Sequence, residues 1–235
     1  MNFSEILSSY KYTTELHCHS HPVSVCGDFS PEEVVGFYKE AGVSSLVLTN
    51  HLNPLWFEGD LKERAEEYLS DFRAAKAAAG DDINIILGVE IRFPQTDNDY
   101  LIYGVCEEDI PRFIELIPEG IEGFYKAIKN DKNVILQAHP FRKNMVPAPL
   151  DSIDGIESIN MHPNHHAKPS IAFKYAKEHD LIVSGGSDFH HKGHHALCLM
   201  RTEKEMKTSY DVAEALLSKK AIFDCSGHII VPYIY

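Results

Sequence analysis

The feature that most constrains this chain is the alternation of short apolar runs with capped amphipathic segments. The runs Ser44 to Thr49, Ile83 to Glu90, Tyr100 to Val105, Asn133 to Ala138, Gly155 to Asn160 and Leu181 to Gly186 have strand length and β-branched content. Helical patterns lie between several of them. In "SPEEVVGFYKEAG", Ser30 reads as the N-cap, Pro31 as the first helical residue, Glu33 as the capping-box partner and Gly42 as the stop. Leu61 to Gly80 is rich in strong helix formers and also ends in glycine, and "SIAFKYAKEHD" and "SYDVAEALLSKK" supply two more helices. Strand, helix, strand in this order predicts a largely parallel sheet with helices outside it, as an open α/β sheet or a closed barrel. No repeat or low-complexity linker interrupts the pattern. Residues 1–235 are therefore expected to form a single domain, a length one core accommodates.

Composition narrows the function. With 44% hydrophobic and 24% charged residues the chain lies far from the signature of disorder. A formal charge of −13 and the lack of a Lys/Arg stripe argue against tight nucleic-acid binding. Glu5 and Lys11 interrupt what would be the apolar part of a signal peptide. No later run approaches the roughly 20 apolar residues of a membrane span, so no membrane association and a cytoplasmic location are expected. Cys18, Cys26, Cys106, Cys198 and Cys225 are odd in number and lack CxxC spacing, which reads as thiols in a reducing compartment.

The 14 histidines are the anomaly, and their positions give them meaning. At or just beyond the C-terminal ends of the runs stand His17 and His19, His51, Glu90, His139, Glu157 with Asn160, and Asp188 with His190. In parallel α/β folds those ends open onto one mouth, so residues far apart in sequence converge there. His17 and His19, two apart on a strand, point to one face while Cys18 faces away. Imidazoles and carboxylates together suit Zn, Mn or Fe, and one carboxylate can bridge two ions, which predicts a multinuclear metal site.

The ordered set "ELHCHS", "LTNH", "GVE", "AHPFR", "GIESIN" and "GSDFH", from about Glu15 to His190, resembles the PHP (polymerase and histidinol phosphatase) family of metal-dependent phosphoesterases. The resemblance implies a distorted (β/α)7 TIM-like barrel with two or three divalent ions at the strand ends. It also implies hydrolysis of a small phosphate ester, such as a nucleotide, a sugar phosphate or a histidinol-phosphate-like compound, by a metal-activated hydroxide. Carried over by motif, His17, His19, Glu90 and Asp188 hold a first metal. Glu90 bridges to a second that His139 also binds, and His51 with His190 serves a third. Glu90, Asp188 and His190 are the expected catalytic centre. Arg142 is the expected phosphate contact, with a surface ion pair as the alternative.

Departures from the family pattern fall at Glu15 and Asn50, where Asp is usual. After the HxH pair the usual Asp or His is replaced by Cys26, with Asp28 two residues on as the alternative, and Cys26 as a buried thiol is a further reading. "NDYLIYGV" lacks the histidine that often completes the second metal, which leaves the choice between two and three ions open. Glu157 is expected to orient a ligand or substrate. His162, His165, His191, His194 and His195 are expected mostly in solvent, and Trp56 and Phe57 form either core packing or an apolar lip to the mouth. Rival readings are an amidohydrolase-type C–N hydrolase, a non-catalytic metal-binding protein and a nuclease, the last disfavoured by the charge.

Overall fold

A computed structural model describes residues 3–53 and 60–233 of the chain, so the expectation for Trp56 and Phe57 lies outside the described residues. In chain order the elements are α1 (Phe3–Ser9), β1 (Tyr12–Glu15), α2 (Pro31–Glu40), β2 (Ser45–Leu48), β3 (His51–Leu52) and α3 (Leu61–Ala79). There follow β4 (Asn84–Leu87), β5 (Val89–Arg92), β6 (Asp99–Tyr103), α4 (Ile110–Leu116), α5 (Gly120–Ile128) and β7 (Val134–Gln137). The last part contains β8 (Gly155–Asn160), α6 (Pro169–Glu178), β9 (Ile182–Gly186), β10 (Cys198–Thr202), α7 (Ser209–Leu217), β11 (Ile222–Cys225) and β12 (His228–Ile230).

Local chemistry sets several of these boundaries. Ser30 and Glu33 make the expected reciprocal capping box at α2, with Pro31 at the first helical position. Asp60 with Glu63 and Thr208 with Asp211 do the same for α3 and α7. Helix α3 buries Ala65, Tyr68, Leu69, Phe72, Ala75 and Ala79, the 3–4 spacing of a helix packed on one face. A side chain such as Phe72, taken fully out of water, stabilises the fold by about 1.5–3 kcal/mol.

Among the described residues the strands form two six-stranded sheets, ordered β12-β11-β10-β1-β2-β4 and β3-β5-β6-β7-β8-β9. The parallel expectation needs correction in two places. Strand β6 runs antiparallel to both β5 and β7, and β10, β11 and β12 make an antiparallel extension on β1. The run Ile83 to Glu90 is also two strands, because the chain passes from one sheet to the other at Gly88. A Cβ there would stand 2.7 Å from Val47 Cγ1 and 2.8 Å from Thr49 Cγ2, so only glycine lets the bend pass this close to β2.

Among the described residues no ladder closes the two sheets into one. They meet where Phe189, just after β9, lies between His17 and His19, just after β1, through two backbone bonds of 3.2 and 3.1 Å. The chain after β1 therefore runs beside the chain after β9, and the two ends carry the HxH and SDFH segments. Beneath them Phe29, Phe37, Tyr38 and Phe189 pack ring against ring with centroids 4.9–6.1 Å apart.

Candidate metal centre

His17 and His19 lie just past the end of β1, where their place at the end of the run put them, although the ladder itself stops at Glu15. What replaces the ladder is a set of side-chain bonds to the backbone. Glu15 Oε1 accepts from the His17 and Ser187 amides, and its Oε2 accepts from the Tyr38 hydroxyl. Full burial pushes the Glu15 carboxyl up to about 7, against those hydrogen bonds. Gly186 completes the crossing, since a Cβ on it would stand 2.4 Å from His17 Cβ.

Glu90 is the centre of the site. Opposite His51 in the β3–β5 ladder, its carboxylate lies 3.3 Å from His17 Nε2, 3.2 Å from His19 Nε2, 3.0 Å from His51 Nδ1 and 3.3 Å from His139 Nε2. Asp188 Oδ1 is 3.4 Å from His17 Nε2, 3.4 Å from His19 Nε2 and 3.3 Å from His190 Nδ1. His17, His19, Glu90, His139 and Asp188 are buried, while His51 and His190 keep an edge to solvent. The structure thus brings together all seven of the histidines and carboxylates named above as metal ligands.

Two of these residues hold strained backbone, with φ of 30° at His139 and 55° at Asp188. For a residue with a Cβ the left-handed region costs about 1–2 kcal/mol, a cost the surrounding bonds offset. The His139 amide donates to Glu157 Oε2, and Asp188 is held by Asn160 Nδ2 at 3.1 Å and by Arg142 Nη2.

Electrostatics divide the site. Burial alone would push the His17 imidazole down, but the Asp188, Glu157 and Glu90 carboxylates drive it well above its ordinary value. Burial and the neighbouring His190 and His51 rings hold His19 well below. Burial would raise Glu90 and Asp188, yet His17 and the other imidazoles around them, with Arg142 at Asp188, keep both far below the ordinary carboxylate range. Both carboxylates are therefore anions that can meet a cation.

The residues fit metal ions on three grounds. His17 Nε2, His19 Nε2 and Glu90 Oε2 are buried and have no hydrogen-bond partner among the described residues, despite lying close to one another. Buried polar atoms are normally satisfied, so converging unsatisfied ring nitrogens and a carboxylate oxygen call for a cation. Four sets, His19/His51/His190, His17/His139/Asp188, His17/His19/Glu90 and His51/Glu90/Asp99, each place their donor atoms within 4.8 Å of one another. The outward ring nitrogens are also tied down: His17 Nδ1 to Glu157 Oε1 at 2.8 Å, and His190 Nδ1 to the Asp188 carbonyl at 2.9 Å. Since a carboxylate or carbonyl only accepts, Nδ1 carries a proton in both rings, so the neutral, metal-binding form of each turns its Nε2 lone pair inward.

Asp99 was missed by the sequence reading, which looked for a histidine in "NDYLIYGV". Because β6 runs antiparallel, its N-terminal residue reaches the mouth where parallel strands end. Asp99 Oδ2 lies 3.9 Å from His139 Nε2, and its carboxylate also takes a two-pronged bond of 2.6–2.7 Å from Arg92. Between the two candidates after the HxH pair, Cys26 Sγ lies 3.2 Å from His190 Nε2, whereas Asp28 pairs with His191. Cys26 is exposed at the cleft and not the buried thiol of the alternative reading, and partial desolvation with the nearby Glu90 and Asp188 pushes its thiol up to about 12.

The centre opens into a cleft of about 670 Å³ lined by Cys26, His51, Glu90, Asp99, His139, Asp188 and His190. Arg92, Arg142, Lys143 and Lys168 also line it. Arg142 donates to Asn160 and Asp188 at the cleft edge, so it is committed to a candidate ligand and not to a surface ion pair. Among the loop histidines, His162 departs from the expectation of solvent. It is buried, lines the cleft and is pushed down to about 3 by that burial. His21, the third imidazole of the opening motif, is exposed.

The PHP domain family model matches residues 15–224. The chain belongs to the PHP domain family. No curated protein matches it. Among solved structures it is similar to PsfC from Pseudomonas syringae, at 13% identity and a TM-score of 0.62, covering 86% of this chain and 87% of that one. It is also similar to a two-domain protein from Bacteroides vulgatus containing a predicted PHP-like metal-dependent phosphoesterase. The identity there is 17% and the TM-score 0.59, over 90% of this chain but only 64% of that one. An amidohydrolase from Chromobacterium violaceum, with bound sulfate and no metal, matches at 16% identity and a TM-score of 0.56 over 93% and 98% of the two chains. These likenesses establish the fold of this PHP protein, a mixed α/β architecture. Among the described residues no helix is long and apolar enough to cross a membrane.

Proposed function

We propose that this PHP domain is a metal-dependent hydrolase acting on a small phosphate ester. The observation that carries the reading is Glu90, a buried carboxylate ringed by four imidazoles and faced by unsatisfied nitrogens. His17, His19, Glu90 and Asp188 would hold one ion, Glu90 and His139 with Asp99 a second, and His51 and His190 with Cys26 a third, so two or three ions of Zn, Mn or Fe are accommodated. We read the strands β1, β2–β3, β4–β5, β6, β7, β8 and β9 as a distorted (β/α)7 barrel, joined by the backbone contacts after β1 and β9.

Such ions, when bound, lower the pKa of water and neutralise charge that grows on phosphoryl oxygens. The chain's own residues do the rest. Glu157 and the Asp188 carbonyl hold the His17 and His190 rings in the tautomer that faces inward. Arg142, fixed by Asn160 and Asp188, stands at the cleft edge where a phosphoryl oxygen would lie. Lys143 and Lys168 line the cleft with no ion-pair partner among the described residues, which in a chain of charge −13 marks a local preference for an anion. The same net charge favours a small phosphate over a polynucleotide.

The fold is shared with a protein described as an amidohydrolase, so the assay must separate the two chemistries. Chelator-treated protein, with each metal restored in turn, is expected to hydrolyse phosphomonoesters and leave simple amides intact. Asp188→Asn is expected to lower that rate by about 10³-fold, the several kcal/mol that metal electrostatics supply. Amide turnover without phosphoester turnover, or a variant as fast as wild type, overturns the proposal.

A further inference from the structure

The His19 ring rests on a buried polar chain in which Ser24 and Asp71 lie outside the family motifs. His19 Nδ1 lies 3.2 Å from Ser24 Oγ, and the His51 amide donates to that same oxygen at 2.9 Å. Ser24 in turn donates its one hydroxyl proton to Asn50 Oδ1 at 3.0 Å. The Asn50 side chain cannot be reversed, because the Ser20 amide donates to Oδ1 at 2.8 Å while Nδ2 donates to Asp71 Oδ2 at 3.1 Å and to Ser20 Oγ at 3.0 Å. Asp71 comes from α3 and accepts also from Ser20 Oγ and the Val23 amide. Ser20, Ser24, Asn50 and Asp71 are all at most 3% exposed, so water does not compete for these bonds.

Proton counting fixes the direction of the chain. Ser24 has a single proton and has given it to Asn50, so toward His19 it can only accept. His19 must then carry its proton on Nδ1, which leaves the Nε2 lone pair facing Glu90 and Asp188. We propose that Ser24, oriented by Asn50 and Asp71, is a positioning residue that sets the His19 tautomer and thereby makes His19 competent to bind a metal. This also gives a reason for asparagine at position 50: its amide accepts from Ser24 on one side and donates to Asp71 on the other, where a second carboxylate would face Asp71 at about hydrogen-bond distance.

The inference rests on the proposed metal site for its consequence but not for its test. The His19 ring nitrogens are read by ¹⁵N NMR on the full chain after chelator treatment, and zinc or manganese binding is then measured on the same sample. Wild type is expected to give the Nδ1–H tautomer. Ser24→Ala is expected to give a mixture, with metal affinity lower by about 10–100-fold, the usual effect of removing a ligand's hydrogen-bond partner. Ser24→Thr, which keeps the hydroxyl, is expected to restore both. Asn50→Leu frees the Ser24 proton to point at His19 and is expected to move it toward the Nε2–H form; if that variant does not fold, the Ser24 pair still decides.

A Ser24→Ala protein with the wild-type tautomer overturns the inference, as does one that Ser24→Thr fails to rescue. If the tautomer responds as expected while wild type binds no metal, the relay stands and the metal reading falls.

Discussion

His17 and His19 stand two residues apart in one motif, yet they form two unlike walls of the site. Behind His17 is a carboxylate, Glu157 at 2.8 Å, and with Asp188 and Glu90 it lifts the imidazole well above its ordinary value. Behind His19 is a hydroxyl, Ser24, and around it stand the rings of His190 and His51 at 4.4 and 4.5 Å, which with burial hold it well below. The difference teaches that the ligand's type does not set its strength; what stands behind it does. The Glu157 wall is anion-rich and fully buried, so a cation there meets several charges in a low dielectric. The Ser24 wall offers neutral donors and opens to the cleft through His51, His190 and Cys26, and its ion is expected to leave first.

That contrast can be broken from either side. The larger effect is expected from Glu157→Gln, which keeps an acceptor for His17 but removes the charge. Metal affinity of the tighter site should fall about 10–100-fold, read by competition with a chromogenic chelator. A variant that holds its tightest ion as wild type does would mean the carboxylate is not what separates the walls. The smaller effect is expected from Cys26→Ser on the weaker wall. Since thiolate favours zinc and contributes little to manganese, zinc affinity of the most labile site should drop about tenfold with manganese almost unchanged. Equal loss for both metals would remove Cys26 as a ligand and leave its contact with His190 as a thiol–imidazole hydrogen bond.

The same two walls show what was legible in the sequence. The His17 side was: "HxH", "GVE", "AHP" and "GSDFH" each sit where a strand meets the mouth, and the helix caps at Ser30 and Gly80 marked the segments between them. Proximity of these residues follows from topology alone, so a strand-end pattern finds them. The departures have a common cause, which is pairing between distant segments. Asp99 reaches the mouth only because β6 reverses direction, and the periodicity of a strand says nothing about the direction of its partner. Gly88 divides a continuous apolar run because of Val47 and Thr49, more than thirty residues earlier. The residues that back His19, Ser24 and Asp71, carry no metal-ligand signature, and their role comes from one shared proton and one buried carboxylate. Their neighbour Asn50 was visible as a departure from the family pattern, but the partner that accounts for it lies 21 residues away on α3.

The central claim is that buried imidazole nitrogens and two carboxylates around Glu90 exist to hold metal. Elemental analysis of the full chain, purified without chelators or a histidine tag, tests it most directly. Two or three equivalents of zinc, manganese or iron per chain are the expected result. Less than half an equivalent, persisting after dialysis against each metal in turn, would contradict the account.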